Sequence, residues 1–237
     1  MNIIKNKSTT SFVNLNRDAK YISPQVTFQS FLIKRKHWEN KYTYPEWHLI
    51  FNNKDSIYLS RHDVSKAFLS DTRLGLIQSL IWGFPIGNKP GGANFKPFFD
   101  ELIFFTKEIK KIQSTSLSVQ TFNSLNSIPY IKTSVTTKLM YFSDCKTNNV
   151  RCLIFDRRVL DTLQLFKFVE FNSLEEELSK LRTNPQKISF ELYSAYCETC
   201  SQVGAKLDVA AETIEYLLFN QSTQIALAKA AGIEIGE

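Results

Sequence analysis

Apolar residues recur along this chain mostly at steps of three and four, the period of a helix with one buried face. Leu74, Ile77, Ile81 and Phe84 step by 3, 4 and 3, and Phe98, Leu102, Phe105 and Ile109 by 4, 3 and 4. Tyr193, Cys197, Cys200 and Val203 continue the pattern, as do Ala210, Ile214 and Leu217. Pro97 falls near the start of its predicted helix, where a missing N–H costs little. Gly204 predicts a stop for the helix that begins near Ser189. Alternation of period two is scarce, and only the short runs 56–59 and 152–155 suit extended chain. The pattern predicts a mainly α protein, compact and helical, with few or no strands.

Three regions interrupt the helical pattern. Residues 82–92 read as a Gly/Pro loop after a buried helix. Residues 123–133 read as a polar turn leading into the next helix. Thr183-Asn184-Pro185 separates an acidic helix at 174–181 from a C-terminal helical pair. Polar residues dominate the start of the chain, so residues 1–21 are expected to form a loose arm. Residues 22–237 are expected to form a single helical domain.

The composition suits that division, with 237 residues of which 43% are hydrophobic, enough to bury a sizeable core. No apolar run approaches the ~18–20 residues that span a membrane, and the start of the chain has no apolar secretory segment. Cytoplasmic location with reduced thiols is the expectation for Cys145, Cys152, Cys197 and Cys200. The C-x-x-C at 197–200 fits two small apolar residues on one helix face. No second nearby pair completes a metal site, so no metal and no cofactor are expected.

Charge is where the chain becomes specific. The net charge is +6. Lys132, Lys138, Lys146, Arg151, Arg157 and Arg158 oppose only Asp144 and Asp156 between 132 and 158, so +4 lies in 27 residues. Such a cluster is either a solvated basic face or a surface for nucleic acid or another phosphate ligand.

Two residues in this stretch carry potential chemistry. Val135, Leu139 and Phe142 form an apolar stripe, and Lys138 lies on or beside it. It either snorkels, with its head in water, or is buried with a partner, where desolvation favours a neutral, nucleophilic amine. Asp156 follows the apolar run 152–155 and precedes the helical repeat Val159, Leu163, Phe166. It suits an N-cap, whose N–H bonds and helix dipole keep a carboxylate ionised. Arg157 and Arg158 are placed to contact phosphates or to pair with acids such as Asp161. An amine and a carboxylate beside a phosphate-holding hairpin suit attack at a sugar C1′.

The order of these landmarks resembles the helix-hairpin-helix DNA glycosylases, specifically the bacterial 8-oxoguanine DNA glycosylase OGG-fold group. Thr137-Lys138-Leu139-Met140-Tyr141-Phe142 resembles that group's T-K-x-x-Y-F helix, and Leu153-Ile154-Phe155-Asp156-Arg157-Arg158-Val159 its L-I-x-D-x-x-V segment. Ser60-Arg61-His62-Asp63-Val64, Ile81-Trp82-Gly83-Phe84 and Glu215-Tyr216-Leu217-Leu218-Phe219 are further landmarks. The resemblance implies a compact helical glycosylase fold with a helix-hairpin-helix region at about 120–170. The hairpin is degenerate: 129–135 contains no glycine, and Lys132, Thr133 and Ser134 would supply its phosphate contacts.

The resemblance further implies that Lys138 attacks C1′ and that Asp156 stabilises the sugar cation. A flipped base would lie near Trp82 or Phe84, with His62 and Asp63 lining the pocket. The iron–sulfur cluster of some relatives is not implied, because the cysteine spacing differs. The implied partner is double-stranded DNA carrying a modified base; apart from the resemblance, no membrane association is expected, and the oligomeric state stays open with a monomer as the expectation. Two substrates fit: a hypermodified base of the glucosylated hydroxymethylcytosine type, excised in antiphage defence as attributed to members of this group, or 8-oxoguanine, excised in repair with or without strand cleavage. Two other classes stay open, a non-catalytic DNA-binding module and a helical protein-interaction domain.

Overall fold

The structure, a computed structural model, describes residues 10–87, 94–181 and 188–230, with side chains described to Gln221. It begins with α1 (Phe12–Leu15), α2 (Ala19–Val26), β1 (Ser30–Lys34), α3 (Lys36–Glu39), α4 (Trp47–Phe51) and β2 (Ser56–Ser60). Next come α5 (Arg61–Ser70), α6 (Thr72–Gly83), α7 (Lys96–Asp100), α8 (Leu102–Ser114), α9 (Val119–Ser127) and α10 (Thr133–Phe142). A two-residue hairpin, β3 (Lys146–Thr147) and β4 (Val150–Arg151), leads to α11 (Arg157–Phe166), α12 (Glu175–Lys180), α13 (Phe190–Leu207) and α14 (Ala211–Ala230). The fold is mainly α, as its periodicity predicts. Its strands form two small antiparallel pairs, β1 with β2 and β3 with β4.

Helix starts follow local chemistry. Ser60 caps α5 in a capping box with Asp63, Asp71 caps α6, Ser118 caps α9 and Ser189 caps α13. Each cap satisfies N–H groups that a helix start leaves orphaned, contributing about 1 kcal/mol. The apolar stripes face one continuous core. α10 packs on α5 and α6, and α14 packs on α11 and α13.

Several sequence expectations change. The stretch around Phe98 to Ile109 is two helices, because the chain turns at Glu101 between α7 and α8. The polar turn shrinks to the residues after Ser127, since α9 occupies 119–127. Phe122 and Leu125 bury there, while Asn123 and Ser127 face solvent. Gly204 does not stop α13, which runs to Leu207 and ends on left-handed Asp208. Its glycine serves a close approach instead, since a Cβ there would lie 2.7 Å from the Val209 carbonyl oxygen. Residues 152–155 are extended but belong to no sheet.

The first described residues are tied down rather than loose. Phe12 is buried edge-on against Phe168, and the Glu170 carboxylate accepts from the Ser11 hydroxyl and from the Phe12 and Val13 N–H groups. Residues 1–9 of the expected arm, 88–92 of the Gly/Pro loop and Thr183-Asn184-Pro185 lie outside the described residues.

Candidate active site

Lys138 and Asp156 meet. Lys138 sits on α10, where every residue except Ser134 is buried. Its Nζ lies 3.3 Å from Asp156 Oδ2, with the side chains 6% and 14% exposed. The snorkelling alternative therefore does not hold. Nζ also donates to the Ser134 carbonyl at 3.0 Å and to Ser134 Oγ at 3.1 Å, so all three ammonium protons have acceptors. The face of the Phe84 ring is 5.8 Å away, within cation–π range.

Asp156 is the N-cap of α11. Its Oδ1 accepts from the Arg158 and Val159 N–H groups at 3.0 and 3.3 Å, leaving Oδ2 to face the amine.

The preceding residue explains why two positions eighteen apart come together. Thr137 Oγ1 accepts the Phe155 N–H at 3.1 Å and donates to the Thr133 carbonyl at 2.8 Å. This contact fixes Thr137 against Phe155 and so sets their chain neighbours, Lys138 and Asp156, side by side. Other backbone groups of 152–155 find partners elsewhere in the fold, as buried chain requires. Cys152 N–H donates to the Cys145 carbonyl. The hydroxyls of Tyr193 and Tyr196 on α13 donate to the carbonyls of Leu153 and Ile154. A segment that reads as a strand is thus held mostly by side chains, with one backbone bond at Cys152.

The pair opens onto a cavity of about 440 Å³. Trp82, Gly83, Phe84 and Ile86 form one side, and Ile154, Arg157, Arg158 and Phe219 another. Trp82 is a buried wall, edge-on to Phe31 and Phe142, with its N–H on the Gln29 carbonyl. Phe84 is half-buried and more open to the cavity.

His62 and Asp63 do not line this cavity. His62 is exposed, and Asp63 is committed to the capping box of α5. One turn of helix carries Arg61 inward and these two neighbours outward.

The expected phosphate contacts divide. Lys132 is half-exposed at the N-cap position of α10, Thr133 is buried, and Ser134 is engaged with Lys138. Arg157 and Arg158 are exposed at the cavity rim, Arg157 paired with Asp161 at 2.6 Å and Arg158 over the Phe219 ring. Between α9 and α10, Tyr130 takes a left-handed φ of 65° and stays exposed.

The sequence reading assigned no role to Arg61 and Glu215, which also line the cavity. Arg61 Nη1 lies 2.6 Å from Glu215 Oε2 with side chains 2% and 0% exposed, and Arg61 Nε donates to Gln29 Oε1. The guanidinium lies over the Trp82 and Tyr141 rings. Burial opposes its charge, but Glu215 outweighs burial and raises its pKa. Burial pushes the Glu215 carboxyl up, against the pull of Arg61. Burial also pushes the Tyr141 hydroxyl up to about 12. The available clue was Glu215 standing next to Ile214 in the apolar repeat of α14.

All four cysteines are buried, and desolvation pushes Cys145 and Cys197 up to about 12. They are core-filling thiols. Among the described residues no group of three or more His, Cys, Asp or Glu is placed to hold a metal, and no helix is long and apolar enough to cross a membrane.

One protein family, described as "Putative 8-oxoguanine DNA glycosylase OGG-like protein", matches residues 24–219. No curated protein and no solved structure matches the chain.

Proposed function

The chain belongs to the OGG-like 8-oxoguanine DNA glycosylase family, and on that premise we propose that it excises a modified base from DNA with Lys138 and Asp156 as catalytic residues. The observation that carries this reading is the 3.3 Å approach of the Lys138 amine to the Asp156 carboxylate at the wall of a base-sized or larger cavity. A flipped nucleotide presents C1′ to the pair while its base enters the cavity. Asp156 Oδ2 takes a proton from Lys138. The amine then forms the Nζ–C1′ bond as the C1′–N glycosidic bond breaks. The bond's electron pair leaves with the base, which takes up the proton that Asp156 holds and so restores its carboxylate. The C1′–O4′ bond then opens as a proton passes from Nζ to O4′, giving a protonated Schiff base, and water hydrolyses it to an abasic site and free lysine. Once ionised again, Asp156 offsets the positive charge carried by the sugar adduct, the kind of fixed electrostatic term that dominates many catalysed reactions.

In this reading α9, the turn after it and α10 act as the helix-hairpin-helix unit, with Lys132, Arg157 and Arg158 along the phosphate backbone. Tyr130 supplies the left-handed turn residue in place of glycine. Phe84, rather than the buried Trp82, is the aromatic that stacks on the base. The cavity volume of about 440 Å³ is within the range of pockets for drug-sized ligands. That leaves room for a base with a bulky substituent, such as glucosylated hydroxymethylcytosine, and in this reading the protein acts in defence against hypermodified phage DNA. 8-Oxoguanine excision is the alternative.

The test is incubation with duplexes carrying each base, with and without borohydride. Base release together with a trapped adduct, both lost in Lys138→Gln, supports the amine mechanism. Release without trapping assigns the attack to water, with Asp156 as its base. DNA binding that Lys138→Gln weakens, with no base release from either duplex, makes the protein a binding module and overturns the proposal.

A further inference from the structure

The last residue of α6, Gly83, packs against the Lys138 side chain. A Cβ built on Gly83 would lie 2.7 Å from Lys138 Cδ and 3.0 Å from Cε, closer than packed carbons normally come. Among the described residues, and apart from its chain neighbours and its own helix backbone, no other heavy atom comes within 4 Å of that position. Helical residues rarely remain glycine without cause, because glycine weakens a helix relative to alanine. Here the backbone supplies no cause: Gly87 has a positive φ among the described glycines, and Gly83 does not. Gly75 and Gly204 make room for the Phe68 ring and for backbone, whereas Gly83 makes room for the methylenes of Lys138. The next residue, Phe84, sets its ring beside the Lys138 ammonium. The end of α6 thus bounds the lysine along its stem and near its tip.

We propose that Gly83 is a positioning residue: the absent side chain is the channel through which Lys138 reaches Asp156. A methyl group at 83 would meet the flexible part of the lysine, so the stem yields and the helix does not. The amine would then leave its place between Ser134, Asp156 and C1′, while the fold and the DNA-binding rim stay intact. This inference rests on the catalytic reading of Lys138.

The experiment compares wild type, Gly83→Ala and the bulkier Gly83→Val on duplexes carrying 8-oxoguanine, glucosylated hydroxymethylcytosine or an abasic site. Single-turnover base release and borohydride trapping are measured with enzyme in excess, and duplex Kd and thermal midpoint are measured separately. The expected result for Gly83→Ala is a midpoint equal to or above wild type, a Kd within about twofold, and a chemical rate about 10–100-fold lower, the scale of an ångström-sized misplacement. Gly83→Val should lose more rate. A Gly83→Ala rate within twofold of wild type overturns the inference and leaves the catalytic reading standing. A rate loss matched by loss of binding and a lower midpoint overturns it as well, since Gly83 would then be structural. A wild type inert on all three duplexes overturns the catalytic reading and this inference with it.

Discussion

Asp156 divides its two carboxylate oxygens, with Oδ2 facing the Lys138 ammonium at 3.3 Å and Oδ1 capping α11 through the Arg158 and Val159 N–H groups. The two tasks separate by substitution. Asp156→Asn keeps an equally good cap and removes the charge. Its urea midpoint should stay near wild type while base release falls about 10²–10³-fold, the scale of losing a fixed electrostatic contact. Asp156→Ala should additionally lose about 1 kcal/mol of stability. Unchanged release by Asp156→Asn would remove the residue from the mechanism.

The buried Arg61–Glu215 pair joins α5 to α14 across the floor of the cavity. Removing one partner strands the other charge in the core, so Arg61→Ala or Glu215→Ala should each cost about 3–5 kcal/mol. The double replacement Arg61→Met with Glu215→Leu should be closer to wild type than either single variant, because no unpaired charge remains. Urea unfolding of the four proteins checks this; additive losses would contradict it.

Acid should loosen the N-terminal attachment. Burial works against ionisation of Glu170, but the Ser11 hydroxyl and the Phe12 and Val13 N–H groups outweigh it and hold its carboxyl below the ordinary value of 4.5. A depressed carboxyl contributes stability that is present above the unfolded pKa and lost as pH falls through the folded one. Urea midpoints of wild type and Glu170→Gln should therefore differ most near neutral pH, begin to converge below about pH 4, near the unfolded pKa of a glutamate, and meet only below the lower folded pKa. A gap that stays constant with pH would count against this attachment.

Arg158 lies at the cavity rim, where the proposed DNA path runs. Arg158→Ala should weaken binding to all duplexes alike and reduce the slope of log K against log salt by about 1, the mark of one phosphate contact. Base release at saturating enzyme should change little. A slope equal to wild type would exclude a phosphate contact by Arg158.

Much of the fold and of the Lys138–Asp156 pair is legible in the chain, and the limits of that legibility are physical. Steps of three and four place Lys138 with Val135, Leu139 and Phe142, because a helix puts those positions on one face. Asp156 reads as a cap because capping is decided within three residues. The same local logic fails for residues 152–155, where apolar extended chain suggests a strand. Beyond one backbone bond from Cys152 to Cys145, their partners are Thr137, Tyr193 and Tyr196, side chains that no pattern along the chain connects to that backbone. It fails for His62 and Asp63 as well, which adjoin Arg61 in sequence but point away from the cavity that Arg61 lines.

The sequence by itself thus determined the helices, their buried faces, and the presence of an amine and a carboxylate at positions able to do chemistry. These follow from steric and hydrogen-bonding rules that act over one or two turns. Only the tertiary structure decided that the two groups meet, because their approach depends on a hydroxyl-to-backbone bond between Thr137 and Phe155 across eighteen residues. It also decided that Arg61 finds Glu215 from the other end of the chain, and that a missing methyl group at Gly83 leaves room for the lysine. Those contacts depend on where whole helices pack, which local periodicity does not encode.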